Sequence, residues 1–163
     1  MRSALLERSA DLLHREAAHL DRKRWDAWLA LYESDAVFWM PSWDDDGTLV
    51  DDPKREISLM YYSSRRGLEE RVARIRSGRS SASIPLPRTC HLLSGIRVER
   101  EDERCVVVEA SFAVHSYRKG ETQTFYGAYE HTLRKNGDQL TIARKKITLV
   151  NDVIPSVLDV YSV

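Results

Sequence analysis

Four long β-forming segments in the second half of the chain most constrain its fold. TCHLLSGIRVE, CVVVEASFAVHSY, TQTFYGAYEHTLR and QLTIARKKITLV follow one another from Thr89 onward, each rich in β-branched and aromatic residues. The turn signals between them are specific: Asn136-Gly137 favours a type I′ hairpin turn, and Lys119-Gly120 marks another tight reversal. The pattern predicts an antiparallel meander of four strands.

The second of these segments indicates which side of the sheet is buried. Every second residue from Val106 to Val114 is apolar, whereas the residues between them are a mixture of polar and apolar types. Successive side chains of a strand point to opposite faces of the sheet, so this alternation gives one wholly apolar face. We expect that face to pack against helices.

The first half of the chain supplies those helices. Apolar residues recur at helical spacing between Ala4 and Leu20, and they predict an amphipathic helix. Asp21 is a candidate N-cap for a second helix, in which an aromatic and leucine stripe runs from Trp25 to Tyr32. A third helix, ending at Gly78, is predicted from a stripe formed by Leu68, Val72 and Ile75. A short strand is expected from Ala36 to Met40, ended by Pro41.

Helices followed by a meander predict an α+β domain, with three N-terminal helices packed on one face of a curved, mainly antiparallel sheet. No repeat or shift in composition divides the chain, so residues 1–163 are expected to form a single domain. The arrangement is similar to the cone-shaped fold of the nuclear transport factor 2 (NTF2-like) superfamily. Members of that superfamily use the enclosed cavity for catalysis or fill it, so the fold does not decide the function.

The charge balance excludes some partners. The 25 basic and 25 acidic side chains cancel, which leaves no net field to attract a nucleic acid or an anionic membrane. Charges throughout the N-terminal segment interrupt the apolar run that a signal peptide or a spanning helix requires, and we expect a cytoplasmic protein. Cys90 and Cys105 are interpreted as reduced residues rather than a disulfide.

One segment, which we call the arm, fits neither a helix nor a strand. It runs from Trp39 to Tyr62 and contains two of the four tryptophans, five aspartates and a tyrosine pair. Connections in compact domains are usually a few residues long, and longer ones tend to be functional or disordered. Its aromatic content argues against disorder. The arm is therefore predicted to be an ordered surface segment that binds something, and RSSASIPLPRT forms a second loop further on.

Motifs for metal or phosphate chemistry are missing from the sequence. Aspartates 44–46 followed by Gly47 suggest a calcium loop, but the register places Pro53 where a bidentate glutamate is needed. The HExxH zinc helix, the glycine-rich dinucleotide turn and the Walker loop do not occur. His91, His115 and His131 lie on predicted strands and are interpreted as structural. The alternative is a free-standing dehydratase or isomerase in which a cavity histidine and an aspartate or tyrosine transfer a proton.

Longer motifs resemble a known family. WDAWLALYESDAVFWMPSWDDDGTLVDDPKREISLMYY, RRGLEERVARIRSGRSSASIPLPRTCHLLSGIRV and KKITLVNDVIPSVLDVY are similar to small (beta) subunits of Rieske non-haem iron aromatic-ring-hydroxylating dioxygenases. DPKREISLMYY, GLEERVARIR and PRTCHL most resemble the benzoate, anthranilate and halobenzoate branch. The resemblance implies a non-catalytic structural subunit without catalytic, cofactor or metal residues of its own. The Rieske [2Fe-2S] cluster and mononuclear Fe(II) are implied for the large (alpha) subunit, with NADH supplying electrons through a reductase.

The resemblance also implies assembly into a hexamer of three large and three small subunits. We expect the arm and the segment from Pro85 to His91 to contact neighbouring subunits, because tryptophan, tyrosine and arginine are enriched at interface hot spots. The candidate interface residues are Trp43, Asp44, Asp45, Tyr61, Tyr62, Arg65, Arg88 and His91. The alternative is that aromatic residues such as Trp39 and Tyr61 complete the core of their own chain.

Overall fold

Three α-helices and six β-strands form the part of the chain that the computed structural model describes, residues 2–54, 57–79, 84–151 and 158–163. The helices are α1 (Arg2–Asp21), α2 (Trp25–Leu29) and α3 (Arg65–Arg76). The strands are β1 (Tyr32–Pro41), β2 (Ser58–Tyr62), β3 (Arg88–Glu101), β4 (Cys105–Arg118), β5 (Glu121–Asn136) and β6 (Gln139–Leu149). A 3₁₀ helix, Val160–Ser162, follows them.

All six strands belong to one mixed sheet with the order β2-β1-β6-β5-β4-β3. The predicted meander from β3 to β6 is confirmed, and the sole parallel pairing among the described strands is between β1 and β6. The sheet curves around the helices, which confirms the α+β, NTF2-like architecture. No helix in these ranges is both long and apolar enough to cross a membrane.

The core lies between the helices and the concave face of the sheet. The apolar side chains of β4 from Val106 to Val114 are buried, as the alternation predicts. The helices contribute their predicted stripes to the same core, namely Leu12, Leu13 and Leu20 of α1, Trp25 and Trp28 of α2, and Leu68, Val72 and Ile75 of α3. The burial of one face of each element therefore explains the layered arrangement.

The predicted second helix is wrong at both ends. Asp21 is the last residue of α1, and the N-cap position of α2 is occupied by Arg24, which makes no side-chain capping bond. Helix α2 ends at Leu29, and Tyr32 already begins β1. The helical spacing of the aromatic residues misled the prediction because a tight turn directly before β1 can bury Tyr32 on the same side as Trp28.

The arm is more regular than the sequence indicates. Its ends belong to β1 and β2, which pair antiparallel with Trp39 opposite Tyr61. Between the two strands, an isolated bridge joins Trp43 to Leu49, and the amide of Asp44 donates to the carbonyl of Thr48. The prediction that the arm lacks strand structure is wrong for these ends, because a strand that includes proline and irregular pairing shows no simple alternation. Residues 55 and 56 of the arm, and residues 80–83 of the second predicted loop, lie outside the described ranges.

The two predicted turns differ in their outcome. Lys119 and Gly120 both have positive φ angles, 50° and 81°, as a type I′ turn between β4 and β5 requires. In the next turn Asn136 pairs with Gln139, so the central residues are Gly137 and Asp138, and of these only Gly137 has positive φ. The type I′ assignment for Asn136-Gly137 is therefore wrong by one residue in register. Both cysteines are free.

Candidate functional site

A cluster of charged and polar side chains lies in the interior, between the helices and the concave face of the sheet. We call it the Glu16 cluster, and its members are Glu16, Trp28, Tyr32, His131 and Lys145. Helix α1 brings Glu16 to the interior because this residue lies four positions after Leu12 and four before Leu20, on the buried stripe of the helix. Strand β6 brings Lys145, which shares its face with Ile147 and Leu149.

The Glu16 carboxylate is the centre of this cluster. One oxygen, Oε1, lies 3.1 Å from the ammonium of Lys145 and 2.9 Å from Nε2 of His131. The other oxygen accepts hydrogen bonds from the Tyr32 hydroxyl and, at 3.3 Å, from the indole N–H of Trp28. Lys145 also lies over the ring of Tyr129, 4.3 Å from its centroid. The carboxylate thus has four donors, which is the arrangement that a buried charge requires.

The electrostatics keep this carboxylate ionised. Burial alone would raise the pKa of Glu16, but Lys145 and His131, together with the hydrogen bonds, hold that pKa far below its ordinary value. Burial lowers the pKa of His131 and of Lys145, and Glu16 opposes both shifts. Burial, followed by the charge of Glu16, raises the pKa of Tyr32 well above its ordinary value. The arrangement is therefore an anion held between donors, not a carboxyl ready to give up a proton.

Access to the Glu16 cluster is closed. Glu16 is 2% exposed, Lys145 is 1% exposed and His131 is 0% exposed, so no solute touches them in this conformation. Nδ1 of His131 and the hydroxyl of the neighbouring Tyr129 have no hydrogen-bond partner among the described residues. The ring of Tyr129 is stacked on Phe112 with a centroid distance of 4.1 Å, which leaves no gap between those two rings. Among the described residues, the Glu16 cluster is thus closed to solvent and does not form an open active site.

A second histidine and carboxylate pair lies where the end of α1 meets strand β3. Nδ1 of His91 is 2.6 Å from Oδ1 of Asp21, and the backbone N–H of His91 donates to Oδ2 of the same residue. Thr89 donates a further hydrogen bond to Oδ1, and Nε2 of His91 faces the carbonyl of Val163 at 3.4 Å. Burial would raise the pKa of Asp21, but the hydrogen bonds from His91 and Thr89 lower it overall. The pair joins α1, the edge strand β3 and the last residue of the chain.

The histidines therefore differ in their surroundings. His131 belongs to the Glu16 cluster, whereas the imidazole of His91 is 1% exposed and is used within its own chain. His115 is exposed on the opposite face of the sheet, where Nδ1 lies 2.9 Å from the hydroxyl of Thr124. The acid-base pair of the alternative prediction thus corresponds structurally to Asp21 and His91, with both ring nitrogens of the imidazole already facing an oxygen of the same chain.

The predicted interface residues of the arm fall into two groups. Asp44 and Asp45 are exposed at the tip, where Gly47 closes a tight turn with a φ of 82°. Trp43 is half-buried, and its indole N–H donates to the carbonyl of Leu149 at 2.6 Å, which ties the arm to the end of β6. Tyr61 is half-buried on β2.

The remaining predicted interface residues lie around α3 and β3. Tyr62 packs against Phe38 of the core, and burial raises the pKa of its hydroxyl. Arg65 donates to the carbonyl of Tyr32 at 2.8 Å and pairs with Glu69. Arg88 is exposed and lies over the ring of Tyr117, on the outer face of the sheet. The structure thus places the eight candidates at several locations, and their contacts with other subunits stay a prediction.

Sequence reasoning missed the charged residues that organise the interior. Glu16 looks like one of many helix charges, yet its position on the leucine stripe of α1 was a usable signal. Lys145 likewise lies in phase with Ile147 and Leu149, so strand alternation predicts an inward side chain. Asp159 was also missed. Its carboxylate binds the guanidinium of Arg71 with both oxygens, and this distant pairing leaves no local trace in the sequence.

A family model described as "Ring hydroxylating beta subunit" matches residues 15–156 of the chain. The chain belongs to this family. The match includes the last third of α1, the arm and the whole meander, so it covers both the Glu16 cluster and the two predicted interface segments. Family membership makes the chain one subunit of a multi-subunit ring-hydroxylating enzyme.

Individual relatives agree with the family assignment over nearly the full length. The small subunit of 2-halobenzoate 1,2-dioxygenase from Burkholderia cepacia is 45% identical, over 93% of this chain and 92% of the relative. The beta subunit of toluate 1,2-dioxygenase from Pseudomonas putida is 42% identical, over 94% of each chain. The crystal structure of the beta subunit of benzoate 1,2-dioxygenase from Burkholderia mallei has 39% sequence identity and a TM-score of 0.79, over 94% of each chain.

Proposed function

We propose that this chain is the non-catalytic, structural small subunit of an aromatic-ring-hydroxylating dioxygenase that acts on benzoate or a related aromatic acid. The observation that carries the proposal is the 45% and 42% identity to dioxygenase small subunits over more than nine-tenths of the chain. Both relatives act on substituted benzoates according to their names, which favours this branch over bulkier ring systems. The enzyme as a whole is an oxidoreductase that adds two hydroxyl groups to the ring.

In this proposal the metal chemistry belongs to the large subunit. A Rieske [2Fe-2S] cluster and a mononuclear Fe(II) there would receive electrons from NADH through a reductase. The side chains described here do not fit either group, because no three or more histidine, cysteine or acidic residues among them come together as a metal site. The cysteines are separated on β3 and β4, and His131 is engaged by Glu16. This chain would supply shape and rigidity to the complex.

Three large and three small subunits would form the complete oxygenase, located in the cytoplasm where NADH is supplied. The Glu16 cluster supports a structural role, because it fixes α1, α2, β1, β5 and β6 around one carboxylate. A rigid cone of this kind presents its outer surfaces to partners without rearrangement. The arm and the start of β3 are the proposed contact regions.

Co-expression tests the proposal. The chain would be purified alone and together with a large subunit, encoded by a neighbouring reading frame with paired CxH and CxxH motifs. We expect benzoate dihydroxylation to depend on iron and to occur only when both subunits are present. The isolated chain should show no turnover of benzoate, and the co-purified partner should carry the absorbance of a Rieske cluster. Absence of any large-subunit partner, or oxidation of the ring by this chain alone, would contradict the proposal.

The alternative of a free-standing cavity enzyme is not favoured. Such an enzyme needs an acid or base that a substrate can reach. In this chain the imidazoles of His91 and His131 are buried and engaged by carboxylates, and the Glu16 cluster is closed to solvent. The alternative is tested by screening the purified chain for dehydration or isomerisation of small hydroxylated rings. Turnover by the wild-type chain that disappears in His91→Gln would restore the alternative.

A further inference from the structure

Two polar atoms in the interior of the chain are buried without a hydrogen-bond partner in the described residues. They are Nδ1 of His131 and the hydroxyl oxygen of Tyr129. His131 is 0% exposed and Tyr129 is 3% exposed, so bulk solvent reaches neither side chain. Buried polar atoms of native proteins nearly always have a partner, which is an ordered water or another bound molecule when the chain supplies none. Each of these atoms therefore requires a partner beyond the described side chains.

Both atoms belong to the same part of the interior. Tyr129 and His131 are two positions apart on β5, so their side chains point to the same face of the sheet. The two rings are nearly perpendicular, with centroids 5.5 Å apart. Phe112 stacks on the Tyr129 ring, and the Lys145 ammonium lies 4.3 Å from the centroid of that ring. The hydroxyl at the end of the ring takes part in neither contact, so one small molecule beside the two rings can contact both atoms.

The Glu16 carboxylate determines which hydrogen-bonding role is left for Nδ1 of His131. The pKa of Glu16 lies far below its ordinary value, so its oxygens are ionised and can only accept. Nε2 of His131, 2.9 Å from Oε1 of Glu16, must then carry a proton and donate the hydrogen bond. Burial lowers the pKa of His131, so the imidazole is neutral at neutral pH and its other nitrogen carries no proton. Nδ1 is therefore an acceptor that needs a donor.

The Tyr129 hydroxyl has the complementary role. Burial, followed by the charges of Glu16 and Asp21, raises the pKa of this hydroxyl well above its ordinary value, so the oxygen keeps its proton. It is a donor whose oxygen also accepts. A molecule between the two atoms has to donate to Nδ1 of His131 and accept from Tyr129. A single hydroxyl group does both.

The charges around the two atoms favour a neutral molecule. Glu16 and Asp21 have lowered pKa values and are ionised, and the charge of each acts on the Tyr129 hydroxyl. An anion bound there would be repelled by both carboxylates. A cation would be repelled by the Lys145 ammonium, which already lies against the Tyr129 ring and pairs with Glu16. A neutral hydroxyl group avoids both repulsions and the cost of burying an unpaired charge.

We infer that the interior next to Tyr129 and His131 is a binding site for a neutral molecule with a hydroxyl group, which donates to Nδ1 of His131 and accepts from the Tyr129 hydroxyl. Water and a small hydroxylated organic compound share this chemistry. The bound hydroxyl extends the hydrogen bonds of the Glu16 cluster to Tyr129. The site is separate from the ring hydroxylation that the proposed function assigns to the large subunit.

Removal of the Tyr129 hydroxyl gives results of opposite sign with and without the bound molecule. Tyr129→Phe deletes one buried oxygen and keeps the ring that stacks on Phe112. With the molecule bound, the variant loses a hydrogen bond and its urea midpoint falls, which is the result we expect. With an oxygen that has no partner, the deletion removes an unsatisfied buried group and the midpoint rises. The matched control is Tyr126→Phe, which changes a 45% exposed tyrosine of the same strand and should leave the midpoint unchanged.

Nitrogen NMR of the full chain, labelled with ¹⁵N-histidine, measures the other partner directly. An unprotonated imidazole nitrogen resonates at lower frequency when its lone pair accepts a hydrogen bond. The chain has five histidines, and the His131 signals are assigned by through-bond correlation to the backbone. At neutral pH we expect Nδ1 of His131 to be unprotonated and accepting. Its resonance should shift in Tyr129→Phe and stay in place in Tyr126→Phe.

The same spectra distinguish the two sources of the hydroxyl. Phenol is the organic probe, added over a concentration series. Rotating-frame Overhauser cross-peaks between water and the ring protons of His131 that persist in phenol assign the site to water. A saturable change of the Nδ1 resonance with phenol, together with loss of those cross-peaks, assigns the site to a hydroxylated organic compound.

Other outcomes overturn the inference. They are an Nδ1 of His131 with a free lone pair, an Nδ1 that carries the proton, and a Tyr129→Phe variant more stable than the wild type. An accepting Nδ1 with neither a water cross-peak nor a response to phenol would mean that the chain itself supplies the donor, and it also overturns the inference. No large subunit takes part in these measurements, so failure of the proposed function is seen separately.

Discussion

At the scale of single residues, the chain shows how a charged group is kept in a hydrophobic core. Glu16 and Lys145 are both almost fully buried, and their attraction offsets the cost of removing them from water only because hydrogen bonds from Tyr32, Trp28 and His131 complete the arrangement. Such a network is specific, because each member depends on the others. Removal of one partner should therefore lower the free energy of unfolding by more than the intact Glu16–Lys145 pair contributes to it.

Lys145→Met should lower the free energy of unfolding by about 3 to 5 kcal/mol, because it leaves the buried Glu16 carboxylate without its cation. Urea unfolding followed by tryptophan fluorescence measures this change. Lys146→Met is the matched control, since the adjacent lysine points to the opposite face over Trp39 and should cost less than about 1 kcal/mol. Equal losses in the two variants would show that the Glu16 cluster does not hold the core together.

Acid should destabilise the protein through the same residues. The pKa of Glu16 is lowered in the folded state, so the unfolded chain binds more protons below its ordinary pKa of about 4.5. The pKa of His131 is lowered as well, so the unfolded chain also binds more protons below about 6.5. Both differences make the free energy of unfolding fall as pH falls, first from His131 and then from Glu16.

Urea unfolding between pH 7 and pH 4 checks this order of events. His131→Gln should flatten the upper part of the profile, and Glu16→Gln should flatten the part below about pH 5, whatever either change does to absolute stability. Asp21, whose pKa is also lowered, remains in both variants and keeps a residual slope. An unchanged slope in Glu16→Gln would indicate that the Glu16 carboxyl has the same pKa in the folded and unfolded chain, and a steeper slope would indicate that it is protonated in the folded protein.

At the scale of elements, the last residues of the chain are attached to α3 by one ion pair. Arg71 is largely buried and binds both oxygens of Asp159, whose carboxylate also accepts the N–H of Val160 as a helix cap. Val160 and Val163 are fully buried behind this contact. The 3₁₀ helix therefore closes the core only while Asp159 is held in place.

Asp159→Asn should weaken that closure, because it replaces a charge-assisted, two-oxygen contact by a neutral one. We expect about 1 to 3 kcal/mol of lost stability and faster hydrogen exchange in residues 158–163. Arg66→Met is the control, since Arg66 pairs with Glu70 on the exposed side of the same helix and should change stability by less than about 0.5 kcal/mol. Exchange that stays slow in Asp159→Asn would mean that apolar burial alone holds the segment.

Helices and strands with a regular apolar pattern were predictable from the sequence. Contacts between residues far apart in the sequence were not. The alternation from Val106 to Val114 and the stripe of α3 each depend on neighbours a few residues away, and both were placed correctly. The pairing of β1 with β6, by contrast, joins segments more than a hundred residues apart. Asp21 was mistaken for a helix cap because its true partner, His91, is far along the chain. The Glu16 cluster was not predicted for the same reason, because His131 and Lys145 lie more than a hundred residues after Glu16.

At the scale of the whole molecule, the arm is a segment fixed at both ends to the sheet. Strands β1 and β2 hold its base, and Trp43 ties its middle to the end of β6 through the carbonyl of Leu149. The exposed Asp44 and Asp45 lie directly beyond this attachment. The position of the acidic tip relative to the sheet is therefore set by these strands together with the indole, and a neighbouring subunit would meet a preorganised surface.

Trp43→Ala should leave the fold intact but weaken assembly, because the half-buried indole anchors the arm and is not part of the main core. We expect association of the chain with itself and with a large subunit, followed by light scattering, to fall several-fold as the arm loses its fixed position. Trp43→Phe separates two causes, since it keeps an aromatic ring and removes only the hydrogen bond to Leu149. Intermediate assembly of Trp43→Phe would show that packing and hydrogen bonding both position the arm. Wild-type assembly of Trp43→Ala would instead mean that the strands at its base suffice, and that the tryptophan serves only its own chain.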